Sequence, residues 1–202
     1  MDCTKCHDEK PQKLFDDTLD TDFTWLIDKT LYFDFNEGIS PMLYAMLRDS
    51  LMIWNERGHE YDRVVFLLKS YGGSYFDSIG IIDLIGILKQ RGKIVEMRTH
   101  GYAMSGGFFI LIAGSKGHRL ASRETILMWH EVHAFKMPGF TGPSKSEDEA
   151  EFYRLLQDNA NQFIADRSNV TKEELDEWIA HKEFWVTGED ALKYGFIDGY
   201  IN

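Results

Sequence analysis

The 202-residue sequence contains only two cysteines, Cys3 and Cys6, which excludes a disulfide framework and permits a reducing compartment. Long apolar runs are also missing. The longest ones, Phe108–Ala113 and Ile79–Leu88, are too short to span a bilayer, and Asp83 interrupts the second. The first ten residues lack the apolar core of a signal peptide. We therefore expect a soluble, intracellular protein located in the cytoplasm.

Basic residues are in the minority. The chain has 22 Lys and Arg against 33 Asp and Glu, which gives a formal net charge of −11. Nucleic acids and anionic membranes are polyanions, so we expect this chain to bind neither. No Gly-x-x-x-x-Gly-Lys-Ser/Thr pattern occurs, so any ATP-driven step would need a separate protein. There is no internal repeat and no low-complexity linker, and we place a single packed domain at residues 21–202.

Residues 1–20 are polar and charged, which predicts a flexible N-terminal arm. Within the arm, Cys3-x-x-Cys6-His7 matches the attachment pattern of a c-type haem. That attachment follows export, and no export signal is present. A metal half-site shared with another chain is a second interpretation, and a pair of unattached cysteines in a flexible tail is the simplest one. We predict no cofactor and no metal site.

The remaining chain alternates between strand-like and helix-like segments joined by short connections. This alternation predicts an α/β fold with a mostly parallel sheet. The predicted segments are an extended run Phe23–Phe35, a helix from Ser40-Pro41 to about Glu56, a strand Val64–Leu68, a helix Phe76–Gln90, a strand Ile94–His100, a helix after Ser105, strands near Arg119–Ala121 and Thr125–Trp129, a loop Lys136–Pro143, a long charged helix Lys145–Ser168, a helix from Thr171 to Ile179 and a short helix from Thr187 to Gly195.

Sites in such folds lie at the carboxyl ends of strands, and Gly72-Gly73, Ser105 and His130 each follow a predicted strand. The seven residues Gly101–Gly107 hold Ser105 between small residues at a strand-to-helix turn, where a serine can be kept clear of its own backbone as a nucleophile. An ordinary tight turn with Ser105 as helix cap is the alternative.

Acyl transfer by a serine needs a base, a group that orients the base, and N–H donors for the oxyanion. His130 is the candidate base, although a histidine at a strand end also fits a structural role. The orienting acid has three candidates, Asp176, Glu183 and Asp190. His133 is a weak rival base, because three residues along a strand it would face the opposite side.

Five motifs occur in a fixed order: Ser70-Tyr71-Gly72-Gly73, Gly101-x-Ala103-x-Ser105-Gly106-Gly107, Ala113-Gly114-Ser-Lys-Gly117-x-Arg119, Met128-Trp129-His130, and Thr187 to Asp198. The serine and the histidine are 25 residues apart (130 − 105). In this order and spacing, over about residues 22–202, the chain resembles the serine peptidases of the Clp proteolytic-subunit family.

The resemblance implies a crotonase-like wedge of βαβ units and two stacked rings of seven identical subunits that enclose a chamber. The helix Lys145–Ser168 would be the handle that interlocks the rings, and the N-terminal arm would lie near an axial pore. A separate ATP-driven unfoldase of the AAA+ type would feed polypeptide substrates through that pore.

The resemblance also assigns roles to residues. Ser105 matches the nucleophile and His130 the general base. The N–H groups of Gly73 and of Gly106 match the oxyanion donors, and Gly72 belongs with Gly73 to the turn expected to bind the substrate carbonyl. The catalytic acid, placed by its distance to the Tyr194-Gly195 pair, falls on Glu183, with Asp176 next.

Five residues, in four places, depart from the family pattern. Tyr71 replaces a proline that fixes φ in the substrate-aligning loop. Gly106 replaces a methionine, which keeps the N–H but removes a wall near the substrate. Glu183 replaces an aspartate, although glutamate is also the third member in other serine hydrolases. Glu131-Val132 replaces Gln-Pro, so the loop past the histidine is expected to differ. A divergent member, such as a virus-encoded one, fits these changes.

Three functions are compared. The first is a serine endopeptidase that works inside an oligomeric chamber. The second is a non-catalytic ring subunit retained for assembly, but such subunits commonly lose the serine or the histidine, and this chain keeps both. The third is a crotonase-type acyl-CoA enzyme, which shares the fold but needs no Ser–His pair. The residues favour the first.

Overall fold

The computed structural model describes residues 24–56, 58, 60–133 and 145–201, with backbone alone for 145–147. The expected arm at residues 1–20 and the expected loop at 136–143 lie outside the described residues. The elements, in chain order, are β1 (Thr24–Ile27), β2 (Thr30–Phe35), α1 (Pro41–Glu56), β3 (Arg63–Ser70), α2 (Tyr75–Gln90), β4 (Ile94–Met104), α3 (Gly106–Ile112), β5 (Arg119–Ala121), β6 (Ile126–Trp129), α4 (Lys145–Ala165), α5 (Lys172–Ile179), β7 (Phe184–Thr187), α6 (Gly188–Lys193) and β8 (Gly199–Tyr200).

The strands form one eight-stranded sheet in the order β1-β2-β3-β4-β5-β8, with β6 paired to β4 and to β7. Pairing is parallel from β2 through β3 and β4 to β5, β6 and β8. Among these described strands, β1–β2 and β6–β7 are the antiparallel pairs. The predicted α/β fold with a mostly parallel sheet is confirmed.

On the side away from β3, strand β4 pairs with two strands in succession, β5 and then β6, and the candidate site lies at the end of β4 next to β6. Its first half pairs with β5 from Met97, and its second half pairs with β6 up to Met104. Against β3, the register advances two residues on one strand and four on the other, and the extra residues include Gly101 at φ +80°. A positive-φ glycine at a bulge bends a strand and re-aims the residues beyond the bulge. The strand predicted to end at His100 therefore continues to Met104.

A turn inside the first extended run and the end of α4 also differ from the sequence prediction. The run Phe23–Phe35 was expected to be one extended segment, but Asp28 and Lys29 adopt positive φ values of 46° and 58° and close a two-residue turn between antiparallel strands. Helix α4 ends at Ala165 instead of Ser168, because the last N–H groups bond three residues back and the Ser168 hydroxyl donates to the carbonyl of Ile164.

Strand β7 (Phe184–Thr187) was not predicted. Its residues Phe, Trp, Val and Thr favour strands, but the segment is only four residues long and runs directly into the helix that Thr187 begins. Thr187 does cap α6, since its side chain accepts from the N–H of Asp190. Thr171 and Glu174 form the capping box that the sequence indicated at the start of α5.

The core is centred on α3, whose seven residues are all buried. Phe108 packs edge-on against Phe196, and Phe109 contacts the ring of Trp129 at a centroid distance of 5.6 Å. Each buried aromatic contributes on the order of 2–3 kcal/mol through its apolar area. This packing fixes the N-terminus of α3, which begins directly after Ser105. In the described part of the chain, no helix combines the length and the hydropathy needed to cross a bilayer.

Candidate active site

Ser105 occupies the sharp turn between β4 and α3. Its backbone has φ +51° and ψ −122°, an arrangement that costs a non-glycine residue about 1–3 kcal/mol. The turn is held because the Ser105 N–H donates to the carbonyl of Met128 on β6 at 2.8 Å. A strained residue between a buried strand and a buried helix has the geometry of a nucleophile elbow.

The hydroxyl of Ser105 is not used to cap α3. Although the residue holds the N-cap position, its side chain makes no capping hydrogen bond. The alternative from the sequence, that Ser105 is simply a helix cap, is therefore not supported. The half-buried side chain instead lines a cavity of about 480 Å³.

The loop after β3 brings a second backbone segment to the elbow. Gly72 and Gly73 have φ values of +97° and +150°, and Ile39 binds both sides of the pair. The Ile39 N–H donates to the Gly72 carbonyl, and the Ser74 N–H donates to the Ile39 carbonyl. The hydroxyl of Ser70 also accepts from the Gly72 N–H at 3.1 Å. These hydrogen bonds hold the loop in place, although Tyr71 stands where the family pattern has a proline.

The loop and the elbow are in direct contact, and only glycine fits there. A Cβ on Gly72 would lie 2.7 Å from Cβ of Ser105 and 2.9 Å from the nitrogen of Gly106. A Cβ on Gly106 would lie 2.5 Å from the hydroxyl of Ser78 and 3.6 Å from the nitrogen of Gly73. The amides of Gly73 and Gly106 are therefore close neighbours beside Ser105.

Both amides are available to a ligand. Gly106 is the first residue of α3, so its N–H has no partner within the helix. Ile39 bonds to the Gly72 carbonyl and to the Ser74 N–H, so it does not use the N–H of Gly73. Within the described ranges, neither the Gly73 N–H nor the Gly106 N–H donates to another group. Two neighbouring N–H groups without a partner among the described residues, next to a serine hydroxyl, form an arrangement that can bind an oxyanion.

His130 lines the same cavity as Ser105, Gly73 and Gly106. Its Nδ1 lies 2.5 Å from the carbonyl oxygen of Glu131, so Nδ1 carries the proton. The neutral ring then has Nε2 free as a proton acceptor. No hydrogen bond joins His130 to Ser105 among the described residues; in unliganded enzymes such bonds are often long and tighten when substrate binds.

Burial and the neighbouring ring of His133 lower the pKa of His130, while its contact with Glu131 and the charges of Glu183 and Glu131 act in the opposite direction. The rings of His130 and His133 lie 4.3 Å apart between centroids, and both line the cavity. The expectation that His133 faces away from the site is therefore wrong, because the chain has left β6 after Trp129 and strand alternation no longer applies. A lowered pKa keeps His130 unprotonated, as a general base requires.

Glu183 is the candidate acid nearest to the base in the sheet register. The last pair of the β6–β7 ladder joins Trp129 to Phe184, so His130 and Glu183 are the next residues across. Glu183 is exposed, and its charge partly opposes the lowering of the His130 pKa by burial and by His133.

The other two candidate acids are engaged elsewhere. Asp176 accepts from Asn161 at 2.6 Å and from Lys172 at 2.7 Å. Asp190 pairs with Lys193 on α6. Of the three carboxylates, the structure thus brings only Glu183 into electrostatic contact with the imidazole of His130.

Two amides on α4, Gln157 and Asn161, were not among the residues predicted from the sequence. Both are bonded to the segment that carries His130. The sequence did contain a signal for Asn161, because this residue falls among the buried positions of α4, next to Ala160 and near Ile164. A buried asparagine side chain needs hydrogen-bond partners, so Asn161 could have been identified as part of a polar network.

Fold and site together define a class of protein: a ClpP-like α/β fold with a serine at a strained elbow. A mutant of ClpP1 from Listeria monocytogenes superposes with a TM-score of 0.73 at 20% identity, over 85% of this chain and 91% of that one. This likeness establishes the fold.

The family follows from the sequence comparisons. The Clp protease family model matches residues 35–202. ATP-dependent Clp protease proteolytic subunit 1 of Bacillus cereus is 30% identical over 145 residues, covering 69% of each chain. Proteolytic subunit 3 of a Synechococcus species is 28% identical over 169 residues, covering 83% of this chain and 78% of its own. The chain belongs to the Clp protease family, and the resemblance inferred from its motifs is confirmed.

Proposed function

We propose that this protein is a serine endopeptidase in which Ser105 is the nucleophile, His130 the general base, Glu183 the acid, and the amides of Gly73 and Gly106 the oxyanion donors. One observation carries the proposal. At the strained elbow, the hydroxyl of Ser105 makes no capping hydrogen bond and lies next to the N–H groups of Gly73 and Gly106, in the cavity that His130 also lines.

The proposed reaction is a two-step acyl transfer. Nε2 of His130 takes the hydroxyl proton as Oγ of Ser105 attacks the peptide carbonyl, and the oxyanion is bound by the N–H groups of Gly73 and Gly106. His130 then returns the proton to the leaving amine, which frees the first product and leaves an acyl ester on Ser105. Water, deprotonated by His130, hydrolyses this ester and regenerates the serine.

The charge of Glu183 stabilises the imidazolium that forms in each step, which fits its position across from His130 in the ladder. In the structure the Glu131 carbonyl accepts a hydrogen bond from Nδ1–H of His130 and thereby fixes the tautomer. We propose that Nδ1 turns toward Glu183 when substrate enters the cavity. Asp176, bound to Asn161 and Lys172, is not assigned this role.

Membership of the Clp protease family supports a ring assembly that associates with a Clp ATPase. We propose homo-oligomeric rings of seven subunits stacked in pairs, located in the cytoplasm, with polypeptide substrates supplied by an AAA+ unfoldase in trans. Residues 21–202 would form the peptidase domain, and residues 1–20 the arm near the pore.

Hydrolysis of fluorogenic peptides and of unfolded labelled casein, with and without an added Clp ATPase, tests the proposal. Ser105→Ala is expected to abolish both activities without changing the sedimentation coefficient of the assembly. Activity that persists in Ser105→Ala would overturn the assignment of the nucleophile. An assembled wild-type protein that cleaves neither substrate would instead favour the non-catalytic ring subunit.

A further inference from the structure

Two amide side chains of α4 bind the chain on both sides of His130. The indole Nε1–H of Trp129 donates to Oδ1 of Asn161 at 2.7 Å. The backbone N–H of Val132 donates to Oε1 of Gln157 at 2.6 Å. The residue before His130 and the second residue after it are therefore both attached to the same helix.

The hydrogen bonds of these amides have a defined direction, which starts at Asp176. A carboxylate only accepts, so the amide nitrogen of Asn161, 2.6 Å away, must face Asp176. The oxygen of Asn161 then faces Trp129 and the amide nitrogen of Gln157, which donates to it at 2.9 Å. Gln157 is thereby oriented so that its side-chain oxygen accepts the hydrogen bond from the Val132 N–H.

The network is anchored at one end and buried in the middle. Asn161 is fully buried and Trp129 is 3% exposed. At the outer end, Nζ of Lys172 binds the second oxygen of Asp176 at 2.7 Å and also Asp158 at 2.8 Å. The hydrogen bonds to Asp158 and Asp176 raise the pKa of Lys172, so the anchor remains charged at neutral pH.

We propose that Asp176, Asn161 and Gln157 form a positioning relay that holds His130 at Ser105, an inference that rests on the proposed peptidase function. None of the three touches the reacting atoms, so they are positioning residues. The relay gives Asp176 a role in activity that is indirect, through the backbone that carries the base, and distinct from that of Glu183.

The relay has a signature in the pH profile. Among the described residues, the charged or titratable groups that act on the pKa of His130 are His133, Glu131 and Glu183, and burial of the ring is the largest influence on that pKa. Releasing the residues on either side of His130 admits water to the imidazole, so the pKa of His130 rises. The acid limb, which is the low-pH side of the rate profile where His130 becomes protonated, then moves to higher pH. Loss of the Glu183 charge removes a group that favours protonation, so Glu183→Gln moves the acid limb to lower pH.

The test is the rate at which a fluorophosphonate probe labels Ser105 across pH in Gln157→Ala. We expect a loss of about 10- to 100-fold, because small misplacements of a base have effects of this size, together with an upward shift of the acid limb. Gln162→Ala is the matched control: Gln162 is an exposed amide on α4 that pairs with Asp166, and its loss should leave rate and profile unchanged. A wild-type rate in Gln157→Ala, or a slower rate with an unmoved acid limb, overturns the relay.

A reversed pair tests the direction of the bonds. Asn161→Asp alone places a second carboxylate beside that of Asp176, with no donor between them, and should lower the rate at which Ser105 is labelled. Adding Asp176→Asn restores a donor–acceptor pair, so the double variant should label faster than Asn161→Asp. A double variant no faster than the single one contradicts the relay.

Carbethoxylation of His130 by diethyl pyrocarbonate, mapped by mass spectrometry, separates this proposal from the peptidase function. The relay predicts faster modification in Gln157→Ala than in wild type or Gln162→Ala, whether or not Ser105 reacts. Equal modification rates refute the relay. Wild-type protein that fails to label at Ser105 refutes the proposed nucleophile, and the carbethoxylation rates still decide the relay.

Discussion

Replacing Gly72 by alanine tests whether contact between the glycine loop and the serine elbow sets the distance between the two amides. The new Cβ would lie 2.7 Å from Cβ of Ser105, 2.8 Å from the carbonyl oxygen of Met104 and 2.9 Å from the nitrogen of Gly106. Two of these three atoms are backbone, so the loop must shift as a unit. Such a shift moves the neighbouring N–H of Gly73 away from that of Gly106.

Two costs add up in this variant. Alanine at φ +97° carries a strain of about 1–2 kcal/mol. Overpacking against the elbow adds about 1–3 kcal/mol. Displacing one oxyanion donor lowers kcat by about 10²- to 10³-fold. We therefore expect Gly72→Ala to be less stable by about 2–5 kcal/mol in urea unfolding and nearly inactive toward peptides.

Gly92→Ala separates the cost of backbone strain from the cost of overpacking. Gly92 has φ +75°, and a Cβ there would meet nothing within 4 Å. This variant should show the strain of about 1–2 kcal/mol and full peptidase activity. If Gly72→Ala matched Gly92→Ala in both stability and kcat, the loop would not position the amides and the reasoning would fail.

Three further predictions concern the base, the buried ion pair and one helix cap. Burial and His133 lower the pKa of His130, so His133→Ala should raise that pKa and move the acid limb of peptide hydrolysis to higher pH. Asp198→Ala leaves the buried guanidinium of Arg119 without its carboxylate partner, with only the hydrogen bond to the carbonyl of Arg167 remaining, and we expect urea unfolding to show a loss of about 3–5 kcal/mol. Thr171→Ala removes one half of the capping box of α5 and should cost about 1 kcal/mol in thermal unfolding followed by circular dichroism.

Each of these has a control and a contrary result. His100 is exposed, and His100→Ala should leave the pH profile unchanged; an acid limb that moves to lower pH in His133→Ala contradicts the assigned interaction. Unfolding of Asp198→Ala at the wild-type urea midpoint would show that Arg119 finds water or another partner. Thr171→Ser retains the hydroxyl, so it should keep the stability that Thr171→Ala loses, and equal losses would refute the cap.

The strand–helix order and the position of Ser105 could be predicted from the sequence because both depend on local patterns. The buried run Val64–Leu68 and the apolar run after Ser105 have no polar interruption, as parallel strands and buried helices require. Pro41 marks a helix start through its fixed φ, and Thr171 marks one through a side chain that accepts from the Glu174 N–H.

The features that could not be predicted depend on residues distant in sequence. The bulge at Gly101 shows only in the register between β3 and β4. The position of His133 beside His130 depends on where β6 ends, and the hydrogen bonds of Gln157 and Asn161 depend on where α4 meets the end of β6 and the residues after it. The preference for Glu183 over Asp176 came from the resemblance, and the β6–β7 ladder supplies a physical reason for it.

The central claim is that Ser105 is an activated nucleophile, and fluorophosphonate labelling followed by intact-mass measurement and peptide mapping tests it most directly. The account predicts one adduct per subunit, on Ser105, absent in Ser105→Ala and strongly slowed in His130→Ala. A folded and assembled wild-type protein with no adduct, or with an adduct on another serine, would contradict it.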